Sequence, residues 1–501
     1  MSNPRRFFPH YIIALLFFSV PNIFAQISIG PYVQQISDSE ATIIWYTEKS
    51  ASGALKFGRE INAQTESHET GNGGLHAAHL KNLSPGTRYF YSVLVDGESI
   101  ASGEHYFFKT AAASGANSKF RFIAFGDMGK STEEQVQVAE QIESLTPRAD
   151  FGLLLGDIVY NSGKRKDYPE LYFQPYAKTI CNTPFWPSIG NHDMKSQNGA
   201  AYFEFFYTPA NNPAGLEDYY SFDYGNAHFV SLDSENARED GSYPEMLDWV
   251  ERDLEAARAR GAEWLFAFFH HAPYSEGTHG DDEFVVENYL PRLEKNGVDI
   301  VFAGHSHVLE RSYLVRSGTV INGHPNKYSK LGHNEGTVYI VSGAGAKQGL
   351  SDEKHPLMAF QQEGFQNGVS VIDIDGQVLR GFFRTNDGQE IDHFAIFKDG
   401  TTAVREKPDI AQAPAVFSLH QNFPNPFNPR TSFRFSLRQA ARVEISIYNT
   451  TGALVETAVN EDFAPGEHAV SWTAENLASG VYVYKMTAGG VEKSRKFILL
   501  R

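Results

Sequence analysis

Five apolar segments of the sequence are each followed, directly or after a single glycine, by side chains of the kinds that bind metal ions. In chain order, these side chains belong to Asp127, Asp157, Asn191 followed by His192, His270 followed by His271, and His305 with His307. The apolar segments are typical of buried strands in an α/β sheet. Because ligand sites of such sheets lie beyond the carboxyl ends of the strands, we expect these donors to meet at one edge.

Any one of these strand endings has a simpler explanation. A Gly-Asp pair after a strand is usually a turn, and a single histidine in a loop usually has no chemical role. A chain has little structural reason, however, to place Asp, Asp, Asn, His and His-x-His after successive buried strands. The pattern therefore predicts a metal site.

The five segments resemble the sequence blocks of metallophosphoesterases, in the form found in purple acid phosphatases. Two features distinguish this form: no histidine lies two residues after Asp127, and Tyr160 lies three residues after Asp157. The resemblance spans roughly residues 118 to 385 and implies a central α/β domain of the αββα sandwich type. The blocks are Gly126-Asp127-Met128-Gly129, Gly156-Asp157-Ile158-Val159-Tyr160, Gly190-Asn191-His192-Asp193, the segment at His270, and Gly304-His305-Ser306-His307.

The resemblance implies a dinuclear metal centre in which each ion has three ligands of its own and shares a fourth. The first ion would have Asp127, Tyr160 and His307, the second would have Asn191, His270 and His305, and Asp157 would bridge them. A free tyrosine has a pKa of about 10, so a coordinated phenolate requires a strongly Lewis-acidic ion. We therefore expect Fe(III) in the first position and a divalent Fe, Zn or Mn ion in the second, where the donors do not choose among the three.

The resemblance also implies two catalytic histidines that are not ligands. His192 resembles the family histidine that contacts phosphate or helps to protonate the departing oxygen. His279 matches another family histidine near the leaving group, and its alternative is a solvated loop histidine. Family blocks place the ligand first in the pair His270-His271, so His271 would lie outside the ligand shell; a register shifted by one residue is the alternative.

The sequence departs from the family pattern at two positions near these histidines. Asp193 stands where many purple acid phosphatases have glutamate, and Gly280 follows His279 where plant relatives have a second histidine. We therefore expect the metal ligands to follow the family more closely than the contacts to substrate.

The residues before the central domain predict a β-sandwich. Short runs rich in aromatic and β-branched residues, such as 41–46 and 87–93, alternate with Gly and Pro signals. The segment from Leu80 to Tyr89 closely resembles a hallmark of fibronectin type III domains.

The residues after about position 415 predict a second, small β-sandwich, with alternating runs such as 432–437 and 481–486. The segment Asn422-Phe423-Pro424-Asn425-Pro426-Phe427-Asn428-Pro429 and a basic end at Lys493, Arg495 and Lys496 resemble the type IX secretion sorting domain. The alternative is an adhesive or sugar-binding sandwich.

The predicted protein is therefore multidomain. Its parts are a signal peptide at 1–25, a fibronectin type III-like domain at 26–112, a metallophosphoesterase domain at 118–400, a linker at 401–414 and a sorting domain at 415–501. The signal peptide is indicated by Arg5 and Arg6, the apolar run from Tyr11 to Val20 and a cleavage position after Ala25. A retained membrane anchor is the alternative, although the run is short for a bilayer span.

Two helices of the central domain have end signals in the sequence. Ser131 and Glu134 have the spacing of a capping box. Gly261 is placed to end a helix that runs from about Pro244 to Arg260.

Composition limits the partners of the protein. A formal net charge of -17 argues against a nucleic-acid partner, because proteins that bind nucleic acid normally have a basic face.

Cys181 is the only cysteine, so no disulfide forms within the chain, and we expect it to be a small core residue. No segment after the signal peptide has the length of a transmembrane helix.

These observations predict a secreted phosphatase that passes through the Sec pathway and the type IX secretion machinery to the cell surface or the medium. It would hydrolyse phosphate monoesters by attack of metal-bound hydroxide, with two ions holding the nucleophile and the phosphoryl oxygens. One alternative is a phosphodiesterase, including a nucleotide-directed one. An alternative of another class is a surface adhesin in which the central domain is only scaffold.

Overall fold

The computed structural model describes residues 27–500, apart from residues 240, 331, 333–334, 351–353, 399–416, 420–421, 423, 438–439, 450–452, 475–476 and 490. The predicted signal peptide and the predicted linker lie outside the described residues. The chain forms two compact units, Met1–Ala403 and Val404–Arg501. No helix in the described part is long and apolar enough to cross a membrane.

The larger unit begins with a six-stranded sheet. Its strands are β1 (Ile27–Gln34), β2 (Ala41–Gly58), β3 (Glu66–Leu80), β4 (Arg88–Val95), β5 (Glu98–Ala101) and β6 (Phe107–Lys109). The long strand β2 pairs antiparallel with β1, β3 and β4 and so joins most of the domain. Trp45, Tyr91 and Phe108 are fully buried in its core.

Two seven-stranded sheets follow in the same unit. Their strands, with the separate hairpin β15–β16, are β7 (Lys119–Phe125), β8 (Phe151–Leu155), β9 (Phe185–Ser188), β10 (Tyr220–Tyr224), β11 (Ala227–Ser231), β12 (Trp264–Phe269), β13 (Ile300–Ala303), β14 (Leu309–Ser312), β15 (Leu314–Arg316), β16 (Thr319–Asn322), β17 (Lys327–Ser329), β18 (Val338–Ser342), β19 (Met358–Gln361), β20 (Gly368–Asp375), β21 (Val378–Thr385) and β22 (Glu390–Phe397). The helices are α1 (Glu133–Ser144), α2 (Gln174–Ile180), α3 (Asn191–Met194), α4 (Ala200–Phe205), α5 (Asn236–Glu239), α6 (Tyr243–Ala259), α7 (Glu283–Asn288) and α8 (Leu290–Lys295).

The order of strands brings the predicted site residues together. The first sheet has the order β17-β22-β21-β20-β7-β8-β9, and β7, β8 and β9 are parallel. The second has the order β10-β11-β12-β13-β18-β14-β19, and β11, β12, β13 and β18 are parallel. The carboxyl ends of each parallel set therefore lie at one edge of their sheet.

Aromatic side chains fill the space between the two sheets. The ring of Phe122 on β7 lies 5.3 Å from that of Phe229 on β11 and 5.4 Å from that of Phe266 on β12, both edge to face. Each such pair contributes about 0.5–1.5 kcal/mol beyond its burial. Helix α1 packs on the outer face of the first sheet and α6 on that of the second. This core holds the strand ends of both sheets in a fixed relation.

The structure contradicts one of the two predicted helix ends and confirms the other. The capping box from Ser131 is wrong, because Thr132 is the N-cap of α1 and its hydroxyl accepts a hydrogen bond from Gln135 N. Ser131 itself has a φ of +55° and precedes the cap. The end of α6 is confirmed, since Gly261 follows it with a φ of +97°, which glycine adopts without strain.

The N-terminal domain is joined to the central domain by buried hydrogen bonds. The Tyr32 hydroxyl donates to Phe205 O at 3.0 Å, and Gln34 Oε1 accepts from Tyr207 N at 2.7 Å. The Tyr91 hydroxyl donates to Cys181 O at 2.5 Å. Cys181 is buried, as the sequence predicts, and burial raises the pKa of its thiol to about 11. The N-terminal domain thus supports the outer helices of the first sheet.

The smaller unit contains two sheets, of three and four strands, with the orders β23-β24-β27 and β26-β25-β28-β29. The strands are β23 (Phe417–Leu419), β24 (Arg430–Leu437), β25 (Ala441–Tyr448), β26 (Leu454–Phe463), β27 (Gly466–Thr473), β28 (Gly480–Ala488) and β29 (Val491–Leu499). Phe433, Tyr484 and Phe497 come from both sheets and are fully buried in one core.

A buried histidine joins strands β10 and β11 to helix α6. The side chain of His228 is 1% exposed, and its two ring nitrogens lie 2.6 Å from Asp223 Oδ1 and 3.0 Å from Asp253 Oδ2. Burial disfavours the charged ring, but the hydrogen bonds and charges of the two aspartates outweigh it and raise the pKa of His228. The protonated histidine is therefore a stabilising group of the fold.

We predict that His228→Gln lowers the melting temperature and that the effect depends on pH. The loss should be roughly 2 kcal/mol, below the about 3–5 kcal/mol typical of a fully buried pair, because both aspartates are partly exposed. A raised folded-state pKa gives stability that is complete below the unfolded pKa of about 6.5 and is lost as pH rises through the folded value. Calorimetry should therefore show a larger difference at pH 6 than at pH 10.

His105→Gln, at an exposed histidine, is the matched control and should change little. The same difference in melting temperature at both pH values would contradict the charged role of His228.

Candidate metal centre

Three of the predicted site residues lie at sharp turns directly after strands. Asp127 follows β7 with a φ of +55°, Asp157 follows β8 with a φ of +51°, and His305 follows β13 with a φ of +64°. The left-handed region costs about 1–3 kcal/mol for residues that carry a side chain, and such strain is concentrated at functional sites. Asp127 N donates to Gly156 O at 3.1 Å, which holds the first two turns against each other.

Glycines allow these turns to approach each other closely. A Cβ atom on Gly343 would lie 2.7 Å from Asp127 Oδ2, and one on Gly190 would lie 2.4 Å from Asp157 Oδ1. A larger residue at either position would push a carboxylate out of place. The glycines after the strand ends are therefore part of how the site is built.

Asp127, Asp157 and His270 form the buried centre of the site. Each is at most 1% exposed, and one ligand atom from each lies within 4.8 Å of the others. Burial, followed by the charge of Asp157, holds the pKa of Asp127 well above its usual range. A cation bound between the carboxylates would remove this repulsion.

The three ligands expected for the first ion are in contact. The Tyr160 hydroxyl donates to Asp127 Oδ1 at 2.8 Å, and His307 Nε2 lies 3.6 Å from the same oxygen. Burial and then the negative charges of the two aspartates raise the pKa of Tyr160 well above its usual value. An ionised phenol at this position therefore needs a cation beside it.

The residues expected for the second ion converge on His270 Nε2. Asn191 Oδ1 lies 3.2 Å away, His305 Nδ1 lies 3.1 Å away, and Asp157 Oδ1 lies 3.4 Å away. The other ring nitrogen of His270, Nδ1, is 2.8 Å from Leu155 O and so carries the proton. Nε2 is then left with the lone pair that a metal ion binds. The contacts separate into the two predicted sets, although each residue's role as a ligand stays a prediction.

Asp193 joins the loops that carry these residues. Its two carboxylate oxygens accept hydrogen bonds from Ile158 N at 2.9 Å and from Gly190 N at 3.0 Å. Asp157 Oδ1 in turn accepts from His192 N at 2.7 Å. The sequence identifies Asp193 only as a departure from the family pattern, whereas the structure shows it as a residue that positions the turn at Asp157.

The structure brings both predicted catalytic histidines to this edge and places His271 to one side. The ring of His279 stacks on that of His305 with centroids 4.0 Å apart, and the ring of His192 lies 4.4 Å from that of Tyr160. His271 Nδ1 is 2.9 Å from Ser234 Oγ. His270, rather than His271, therefore faces the carboxylates.

A loop and two lysines at the site were not predicted from the sequence. In the loop 343–347, which follows β18, Ala346 N and Lys347 N donate to Asp127 O at 3.0 and 3.2 Å. Lys347 Nζ lies 4.7 Å, and Lys130 Nζ 5.4 Å, from the centroid of the Tyr160 ring. The available signal was a sixth apolar strand followed by small residues, Gly343-Ala344-Gly345, but it contains no metal-binding side chain.

Comparison with known families decides the classification. Residues 120–309 match the calcineurin-like phosphoesterase family, and residues 29–110 match the N-terminal domain of purple acid phosphatases. Residues 421–500 match a secretion system C-terminal sorting domain. The fold is similar to that of a purple acid phosphatase from yellow lupin (Lupinus luteus) seeds, with a TM-score of 0.61 and 21% identity over 77% of each chain.

The first two domains are those of a purple acid phosphatase-like metallophosphoesterase. A curated relative from Arabidopsis thaliana, named probable inactive purple acid phosphatase 1, is 27% identical over 70% of this chain and 62% of its own length. A Hordeum vulgare protein named nucleotide pyrophosphatase/phosphodiesterase is 24% identical over 60% of this chain and 89% of its own length. The metallophosphoesterase thus spans just under two thirds of the length of the Arabidopsis relative.

The residues present fit the dinuclear metal centre that the metallophosphoesterase fold implies. Carboxylate, phenol and amide oxygens together with three imidazoles are donors that bind metal ions. Burial and then neighbouring positive charge lower the pKa of His305 and His307, to about 3 for His307. Both rings are therefore neutral, which is the form in which imidazole binds a metal.

We predict that His270→Ala lowers the metal content of the purified protein from two ions per chain toward one, because the ring nitrogen on which the other residues of the second set converge is lost. His271→Ala is the matched control and should keep both ions, since its ring contacts Ser234. Elemental analysis of the two variants tests this directly. Loss of metal from the His271 variant with retention in the His270 variant would show that the register is shifted by one residue.

Proposed function

We propose that the protein is a secreted phosphatase that hydrolyses phosphate monoesters at a dinuclear centre of Fe(III) and a divalent Fe, Zn or Mn ion. The buried group of Asp127, Asp157 and His270 is the observation that carries this proposal. Two carboxylates are costly to bury side by side, and binding of metal ions is the function that makes the arrangement favourable. The proposed ligands are Asp127, Tyr160 and His307 for one ion, Asn191, His270 and His305 for the other, and Asp157 as the bridge.

When bound, the metal ions would lower the pKa of a water molecule and neutralise charge on the phosphoryl group. The side chains around them orient and protonate the substrate. His192 lies beside Tyr160, with Nδ1 2.6 Å from Asn161 O and Nε2 accepting from Lys195 Nζ at 2.9 Å, so its Nε2 can donate to a phosphoryl oxygen only after the ring takes up a second proton. His279 stacks on His305 and can give a proton to the departing oxygen.

Hydrolysis of phosphodiesters, including nucleotides, is the competing activity, and the printed name of the Hordeum vulgare relative supports considering it. We expect the metal-loaded, full-length protein to hydrolyse p-nitrophenyl phosphate with a kcat/KM at least about tenfold above that for bis-p-nitrophenyl phosphate. A preference for the diester would contradict monoesterase activity. No turnover of either ester by protein that holds both ions would favour the adhesin alternative.

We predict that His279→Ala slows esters with poor leaving groups more than esters with activated ones. A general acid contributes about 10²–10⁴-fold when the departing oxygen needs a proton, and little when it does not. The kcat for an alkyl phosphate should fall by about a hundredfold, and that for p-nitrophenyl phosphate by less than about tenfold. Equal losses for the two esters, at unchanged metal content, would remove His279 from this role.

Export through the type IX system is proposed because residues 421–500 match a secretion sorting domain and contain none of the proposed ligands. A chain that ends near residue 405 should keep its metal ions and its turnover. In a host with type IX secretion, it should stay in the periplasm while the full-length protein reaches the medium or the cell surface. Appearance of the truncated chain outside the cell, measured by fractionation and immunoblotting, would show that these residues are not the export signal.

A further inference from the structure

Two lysines lie beside the same ring at the edge of the candidate metal centre. Lys347 Nζ is 4.7 Å and Lys130 Nζ is 5.4 Å from the centroid of the Tyr160 ring. Among the described residues, no carboxylate lies within ion-pair distance of either ammonium group. Both positive charges are therefore available to a ligand.

The backbone that carries each lysine is fixed by a fully buried amide side chain. Gln135 Oε1 accepts hydrogen bonds from Lys130 N at 3.0 Å and from Ser131 N at 2.8 Å. Asn367 Nδ2 donates to Lys347 O at 2.8 Å. Fixed attachment points reduce the entropy lost when a ligand orders the side chains.

The two lysines lie beside the predicted metal-ligand group. Lys347 N donates to Asp127 O at 3.2 Å, and both ammonium groups lie within 5.4 Å of the centroid of the Tyr160 ring. A third ammonium, Lys195 Nζ, lies 2.9 Å from His192 Nε2 on the same side of the site.

A cation–π contact with Tyr160 is the simplest role for one lysine. A second ammonium beside the same ring adds repulsion, which an anion bound between the two would remove. The chain as a whole carries a net charge of -17, so this positive group does not follow from composition. The arrangement is that of an anion-binding position next to the reacting phosphate.

We propose that Lys130 and Lys347 bind a second phosphate group of the substrate, so that the protein prefers esters with two phosphate groups to esters with one. The inference rests on the proposed function, because the first phosphate is the one held and cleaved at the metal centre. The second phosphate lies beyond the Tyr160 ring and is not cleaved while it occupies the lysines.

The kinetic test compares fructose 1,6-bisphosphate with fructose 6-phosphate, using metal-loaded full-length protein. Charge-assisted hydrogen bonds to the second phosphate should raise kcat/KM for the bisphosphate by about tenfold, mainly through KM. Lys130→Gln with Lys347→Gln should reduce this ratio to near one. Lys130→Arg with Lys347→Arg should keep most of it. Lys56→Gln, at an exposed lysine of the N-terminal domain, is the control for a lost charge and should leave the ratio unchanged.

A binding test is independent of turnover. Calorimetric titration with methylenediphosphonate and with methylphosphonate, neither of which is hydrolysed, should give a dissociation constant about tenfold lower for the diphosphonate. The difference should shrink at high ionic strength and vanish in the double glutamine variant.

The outcomes separate this inference from the proposed function. If wild-type protein hydrolyses both sugar phosphates without preference, or if the glutamine variants lose both activities equally, the role of the lysines is overturned while phosphatase activity stands. If wild-type protein hydrolyses neither ester but binds the diphosphonate more tightly, the anion position is supported and the proposed function fails. Equal binding of the two phosphonates to wild-type protein overturns the inference.

Discussion

The close approach of two buried carboxylates is the constraint on which the rest of the site depends. One carboxylate oxygen of Asp127, one of Asp157 and one ring nitrogen of His270 all lie within 4.8 Å of one another. Both carboxylates are almost completely inaccessible to water. Two unit charges about 4 Å apart repel by roughly 4 kcal/mol at an effective dielectric constant of about 20. Protonation of one carboxylate or a bound cation removes this repulsion, and the raised pKa of Asp127 reflects the first of these. The surrounding residues supply the further donors that two ions need.

The turns after the strands and the core between the sheets explain how the chain keeps two carboxylates buried side by side. The turns after β7 and β8 place both aspartates in the left-handed region, and glycines at 190 and 343 leave room for the carboxylates. The aromatic core between the sheets fixes those turns relative to the strand ends that carry His270 and His305. The strain at the turns is therefore balanced by packing elsewhere in the same unit, as is common at functional sites.

Much of the fold and of the candidate site could be predicted from local sequence patterns. The apolar run 151–155 coincides with β8, because a fully buried strand leaves a continuous apolar signature. The family and the coarse order of the domains are confirmed. Lys130, Lys347 and the loop 343–347 were not predictable, because lysines and small residues are common everywhere and only the fold brings them beside Tyr160. The capping box failed because Thr132, one residue later, caps α1 instead.

We propose that seven side chains at this sheet edge hold two metal ions, one of them Fe(III) bound by the Tyr160 phenolate. The visible absorption spectrum of purified full-length protein, with the metal content determined on the same sample, tests this proposal. We expect two ions per chain and a tyrosinate-to-iron absorption band that is absent from Tyr160→Phe. Fewer than two ions per chain after loading with iron and zinc, or a band that persists in the Tyr160 variant, would contradict it.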